Sequence, residues 1–221
     1  MKISPTPPPL RAPPPDLSKP PPERASPADI SPPQTRGGIR SRNVIASRIF
    51  AGPNQYPPKE FAAYGIVAFP SRPSLHDRDR YLTICHAYLA SLPHAFELEL
   101  PPAEQMVTVW PLDSDHYTWL NDPTLTSSLN ATSQDVCAMV VHHYGLATAR
   151  TALKDAAHAG VNINTIGPLL LAWSPSADKG KDDALVLVSN LSDITTYDQA
   201  LEMFLAWSRE IERDPAVWSN G

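Results

Sequence analysis

Asp113-Ser114-Asp115-His116 is the densest group of chemically useful side chains in this sequence. Two carboxylates and an imidazole can hold a divalent cation through oxygen and nitrogen. Asp113, Asp115 and His116 are therefore the candidate metal ligands. The plainer alternative is a polar loop whose aspartates cap the turn that follows. A bare Asp-x-Asp weighs towards that alternative. A second group pairs Cys137 with His142-His143, and a third is Cys85-His86. Ligands on one helical face need i, i+3 or i+4 spacing. Cys137 and His142 stand at i and i+5, and adjacent histidines point in different directions. Zinc would need donors converging from two helices, so separate side chains are the simpler reading. Glu97, Glu99 and Glu104 read as a solvated acidic loop. The sequence has no Gly-x-Ser-x-Gly elbow, no Gly-x-Gly-x-x-Gly and no Walker A loop. No catalytic residue is assigned, and no cofactor is implied.

The elements that would position these groups are legible in outline. Tyr64 to Phe69 is a continuous apolar run ended by Pro70, and it predicts a buried strand. Ser74, with Asp77 three residues on, can cap a helix. Its apolar face is Tyr81, Cys85, Tyr88, Leu89 and Leu92, and Pro93 ends it. Met106 to Trp110 predicts a second strand, directly before Asp113. Thr132 or Ser133 can cap one long helix running to Gly160, a left-handed terminator. Residues 168–173 predict a third strand and 184–188 a fourth. The polar connection between them reads as a hairpin. Thr196 with Gln199 forms a capping box for a last helix, whose core face would be Leu201, Phe204, Leu205 and Ile211. Helical crossovers would make the first three strands parallel. Trp110, Trp173 and Trp207 fall inside elements and are candidate core. Trp119 and Trp218 fall outside them and could anchor a partner or pack back on the domain.

The succession strand, helix, strand, helix, strand, strand, helix over roughly residues 62–213 resembles the thioredoxin/glutaredoxin fold. That resemblance implies a three-layer α/β domain, with Pro168 where the fold keeps a cis-proline. Redox members carry Cys-x-x-Cys or a single cysteine after the first strand. Here that stretch is Ser71-Arg72-Pro73-Ser74. A serine hydroxyl cannot replace a thiolate in disulfide exchange, so the resemblance implies a redox-inactive version. The Asp113-x-Asp115 spacing also resembles haloacid-dehalogenase-like phosphatases, with Asp113 as nucleophile and Asp115 as general acid. Ser174, Lys179 or Lys181, and Asp193 would be that family's further residues. Pro111 before the motif and Tyr117 after it depart from the pattern.

The N-terminal region has a different composition. Thirteen of the 26 prolines lie in residues 1–35. Proline lacks an N–H and fixes φ, so helix and interior strand are excluded there. Polyproline II mixed with disorder is expected. Lys2, Arg11, Lys19, Arg24, Arg36, Arg40 and Arg42 against Asp16, Glu23 and Asp29 give residues 1–43 a charge of +4. The whole chain carries −5, so the remainder carries −9. This division suggests an arm that docks on an acidic protein surface. Its candidate partner-binding residues are Pro7, Pro8, Pro9, Arg11, Pro13, Pro14, Pro15, Arg36, Arg40 and Arg42. Lys2, Pro5 and Pro8 match the basic Pro-x-x-Pro pattern read by SH3 domains.

The negative total argues against nucleic acid as a partner. No run of about 18 apolar residues predicts a membrane span. No apolar stretch of signal-peptide type opens the sequence, which points to the cytoplasm; a removed presequence would make it periplasmic or secreted. Cys85 and Cys137 are compatible with one bridge or with two buried thiols.

The expected organisation is an extended proline-rich arm at 1–43, a connecting segment at 44–61 and an α/β domain at 62–221. The leading expectation is a non-enzymatic structural or adaptor subunit of a protein assembly. The alternatives are a metal-dependent phosphatase-like hydrolase using Asp113 and Asp115, and a redox-inactive thioredoxin-like peptide-binding or chaperone module.

Overall fold

The computed structural model describes residues 44–163, 167–174, 179–181, 184–214 and 218. All belong to the compact unit Ile39–Gly221. The ten candidate partner-binding residues of the arm lie outside the described residues.

One five-stranded sheet runs in the order β1-β3-β2-β4-β5. Its strands are β1 (Ile45–Ala51), β2 (Ala63–Ala68), β3 (Gln105–Pro111), β4 (Leu169–Ser174) and β5 (Leu185–Asn190). β3 is central among the parallel strands, pairing with β1 and with β2. β4 runs antiparallel to β2, and β5 antiparallel to β4. Two sequence expectations change here. Residues 45–51 are a sheet strand rather than part of a connecting segment, so the domain begins before residue 62. The third expected strand, β4, is antiparallel to β2 rather than parallel to it. The chain enters β4 from the end of the sheet where β2 finishes, as the pairing of Ala68 with Leu169 shows.

The helices are α1 (Arg78–Ser91), α2 (Pro123–Ser128), α3 (Ser133–His142), α4 (Leu146–His158) and α5 (Tyr197–Arg213). α1 packs against α3 and α5, while α4 packs on β2 and β3. Strand alternation assigns the faces. Thr108 and Trp110 of β3 meet the α1/α5 side: Trp207 of α5 donates to the Thr108 hydroxyl at 2.9 Å. The Trp110 ring lies 5.5 Å from that of Tyr88 on α1. Tyr64 and Trp173, which pair across β2 and β4, face the other side. There Lys179 lies over the Trp173 ring and pairs with Asp155 of α4.

The core on the α1 side is aromatic. Phe69 stacks on Tyr81 at 4.0 Å and touches Trp110 and Tyr144. Trp110, Trp173 and Trp207 are buried as expected, and Trp218 is buried too. Such rings supply much of the buried apolar area of a domain this size.

Both capping boxes form, Thr132 with Asp135 and Thr196 with Gln199. Gly160 ends α4 at φ +83°. Gly160 N–H donates to the Ala157 carbonyl and Val161 N–H to that of Ala156, closing a Schellman turn. The single long helix expected from 132 to 160 is broken at His143–Gly145. Tyr144 leaves the helical path to bridge Leu112, and its hydroxyl donates to Val67 and accepts from Phe69 N–H, both at 2.8 Å. Burial drives the Tyr144 phenol well above its ordinary pKa. In α5 the buried face is Ala200, Phe204, Trp207 and Ile211. Leu205 is exposed instead of buried.

Cys85 of α1 and Cys137 of α3 form a disulfide with Cα atoms 5.7 Å apart. Both are fully buried. No helix among the described residues is long and apolar enough to cross a membrane.

Candidate functional site

The loops following β1, β2 and β3 meet at one end of the sheet, the carboxyl end of its parallel strands. α/β sheets place their ligands there. Backbone pairing fixes the frame: Leu112 N–H donates to Ala51, Asp113 N–H to His143, and Gly145 N–H to Pro111. Gly145 is needed for this approach, since a Cβ there would stand 2.5 Å from the Leu112 carbonyl oxygen.

Within this frame the Asp-x-Asp-His group divides. The Asp113 carboxylate faces His143 Nδ1 at 3.5 Å and Arg72 at 3.8 Å. The His143 ring stacks on Tyr117 at 4.0 Å and meets His142 edge-on at 4.7 Å. Asp115 turns instead towards the loop after β1. It accepts from Asn54 N–H at 3.2 Å and from the Asn54 side-chain amide. Gly52 permits that approach, because a Cβ there would come within 2.7 Å of the Asp115 backbone. Ser114 caps the short turn Asp115–Asn121 by accepting from His116 N–H, and the His116 ring packs edge-on against Tyr117 at 5.2 Å.

The expected metal ligands Asp113, Asp115 and His116 are thus not brought together here. Although only two positions apart at the start of a tight turn, Asp113 and Asp115 turn to different neighbours. No group of three or more His, Cys, Asp or Glu among the described residues converges as a metal site. Cys85 and Cys137 are removed from ligation by their disulfide.

The residues proposed to complete a phosphatase are also dispersed. Ser174 closes β4 beside Tyr64, the first half of β2, at the opposite end of the sheet from Asp113. Lys179 is engaged by Asp155. Only Asp193, after β5, lies at the same end as Asp113 by strand direction.

The surroundings of Pro168 also differ from expectation. Among the described residues the cis peptide is Tyr56–Pro57, and the Gly167–Pro168 bond is trans. Gly167 lies against Ser192, whose Cα would be 2.6 Å from an added Cβ. Leu191 N–H donates to the Pro168 carbonyl, and Arg80 donates to the carbonyls of Leu191 and Ser192. These contacts weigh against a peptide groove beside Pro168.

What remains at this end is an open depression of about 340 Å³ bordered by Arg72, Asp113, Leu112 and the start of α4. Arg72, Asp113, His143 and Tyr117 can offer hydrogen bonds and ring surface to a ligand.

Sequence reasoning did not find the most elaborate polar arrangement. It lies on the outer edge of β1, where Asn121 clamps Phe50: the backbone N–H donates to Asn121 Oδ1 at 2.8 Å, and Asn121 Nδ2 donates to the Phe50 carbonyl at 2.7 Å. His94 Nδ1 accepts from Phe96 N–H, and Nε2 meets Asn121 Oδ1, both at 3.3 Å. Burial first, and Arg48 second, hold His94 below its ordinary pKa. Pro93 and Ala95 pair with both backbone groups of Arg48. Glu212 accepts from Ala46 N–H. Apart from the Phe96–His94 bond, each contact joins segments distant in sequence, so no local motif signals it. No protein-family model, curated protein or solved structure matches the chain.

Proposed function

We propose that the protein is a non-enzymatic binding subunit, in which a thioredoxin-like α/β domain lacks the thiol and a proline-rich arm, residues 1–43, docks on a protein partner. The observation that carries this reading is the fate of the two cysteines. Cys85 and Cys137 are the only cysteines in the chain, and both are tied up in a fully buried bond between α1 and α3. The loop between β2 and α1 holds Ser71-Arg72-Pro73-Ser74 instead. Thiol exchange requires an accessible thiolate, so the scaffold is left with recognition. The succession from β2 to α5, ending in an antiparallel β4–β5 pair, supports the thioredoxin-like assignment. A disulfide of this kind also favours an oxidising compartment over the cytoplasm.

The test compares the full chain with one that begins at Asn43, each used to capture partners without reductant. The proposal expects the truncated chain to keep its far-ultraviolet circular dichroism and lose most of the captured partner. Equal capture by both would remove the arm's role. Partners joined through Cys85 or Cys137 would remove the thiol-free reading.

A further inference from the structure

A groove of about 550 Å³ opens beside the last residues of β1, lined by Ile49, Phe50, Pro57, Phe61, Phe96 and Asn121 among others. Phe96 lines it and is 56% exposed. Its exposure is not that of a loose loop. Ala95 N–H donates to the Arg48 carbonyl and Phe96 N–H to His94. The buried Gln105 amide donates to the carbonyls of Ala95 and Leu100. Phe61 lies 6.4 Å away, ring to ring. A large aromatic held in place and left uncovered is the usual anchor of a recognition surface.

The backbone limits what can enter. The outward N–H and carbonyl of Phe50 are already closed by Asn121. An extended peptide therefore cannot pair with β1 at Phe50, beside the groove, because both backbone groups there are taken. The occupant must be recognised by surface and charge, and it loses least if it has few backbone donors of its own. A proline-rich segment in polyproline II has that property. Aromatic and proline side chains are the lining such segments use.

Charge gives the occupant its sign. Glu60 borders the groove, and Glu97, Glu99 and Glu104 lie on the Phe96 loop and the turn after it; the cations here are Lys59 in the lining and the largely buried Arg48 near Glu97. Residues 93–104 contain no Lys or Arg. We infer that this groove binds a basic, proline-rich polypeptide segment of a partner, seated on Phe96 and Phe61 and steered by the surrounding glutamates. This rests on the binding role proposed above and adds the place and the chemistry of the partner.

The test titrates the full chain with a short synthetic peptide carrying a Pro-x-x-Pro core flanked by arginines, followed by calorimetry. The same core flanked by glutamates is the control. Expected is saturable binding of the basic peptide only, weakened about tenfold by Phe96→Ala and restored by Phe96→Tyr. Glu97→Lys with Glu99→Lys should weaken it by roughly threefold or more and flatten its salt dependence. Near-ultraviolet circular dichroism checks that each variant is folded. No saturable binding, equal binding of both peptides, or an unchanged affinity for Phe96→Ala would overturn the inference. A partner still captured by the full chain in that case would leave the binding role standing and the groove refuted.

Discussion

At the scale of single residues, a few buried or half-buried polar side chains close the edge of β1. Asn121 satisfies two backbone groups of Phe50 that have no strand beside them. Asn121→Ala leaves both without a partner, and each unpaired buried group costs about 1–3 kcal/mol. Urea unfolding should show a loss in that range, whereas a loss below about 0.5 kcal/mol would mean that water replaces the amide.

His94 contributes a pH dependence. It is buried and neutral, with Arg48 and Glu97 as its charged neighbours, and its pKa is depressed. The unfolded chain takes up a proton as pH falls through about 6.5, and the folded chain does so only at lower pH. Stability therefore falls across that window and is complete above it. Melting temperatures between about pH 7 and pH 5 should decline less steeply in His94→Gln than in the parent. Parallel slopes would assign the decline to other groups.

At this same scale the sequence is informative about type and silent about direction. Asp113 and Asp115 stand at the end of a parallel strand, as the pattern Met106–Trp110 implies. That one carboxylate turns to His143 and the other to Asn54 depends on loops after β1 and α3. Spacing within the motif cannot encode those partners.

At the scale of elements, the disulfide and the break between α3 and α4 do most to shape the α1 side of the sheet. Cys85 and Cys137 are 52 residues apart in sequence. Loop-closure entropy for that separation is worth about 4 kcal/mol. Replacing both with alanine should lower the denaturant midpoint by a corresponding amount while leaving the circular dichroism unchanged. A midpoint that does not move would mean that the bond contributes nothing beyond packing.

Gly145 lets the chain turn between the two helices. Gly145→Ala would drive a methyl group into the Leu112 carbonyl, and a loss of about 1–3 kcal/mol is expected for such overpacking. The edges of the sheet are unequal. β1 is closed by Asn121, Glu212 and the 93–95 segment, whereas β5 carries exposed Leu185 and Val188. Charging Leu185 to lysine should change stability by less than about 0.5 kcal/mol and improve solubility. A clear loss of stability would show that Leu185 packs in the folded protein.

Local signals found the capping boxes at Thr132 and Thr196 and the terminator Gly160, because each is complete within a few residues. They missed β1, whose sequence Ile-Ala-Ser-Arg-Ile-Phe-Ala has no clean alternation. Both its faces and its edge are covered, so even Ser47 and Arg48 turn inward. They merged α3 with α4 because Tyr144 leaves the helix for contacts with β2 and β3. Leu205 was misplaced because it fits an apolar spacing, while the face that meets the sheet is set by Phe204 and Trp207.

At the scale of the whole molecule, an acidic α/β body follows a basic, proline-rich segment in one chain, and the body's own cysteines are withdrawn into its core. Neither cysteine is accessible for thiol exchange, and the binding role proposed above rests on that. The most direct measurement is capture by the full chain from extract of its own source, without reductant, resolved on non-reducing and reducing gels. The expected result is a partner held non-covalently, released by salt and reduced in yield when residues 1–43 are removed. Recovery of a partner only as a mixed disulfide with Cys85 or Cys137 would contradict it.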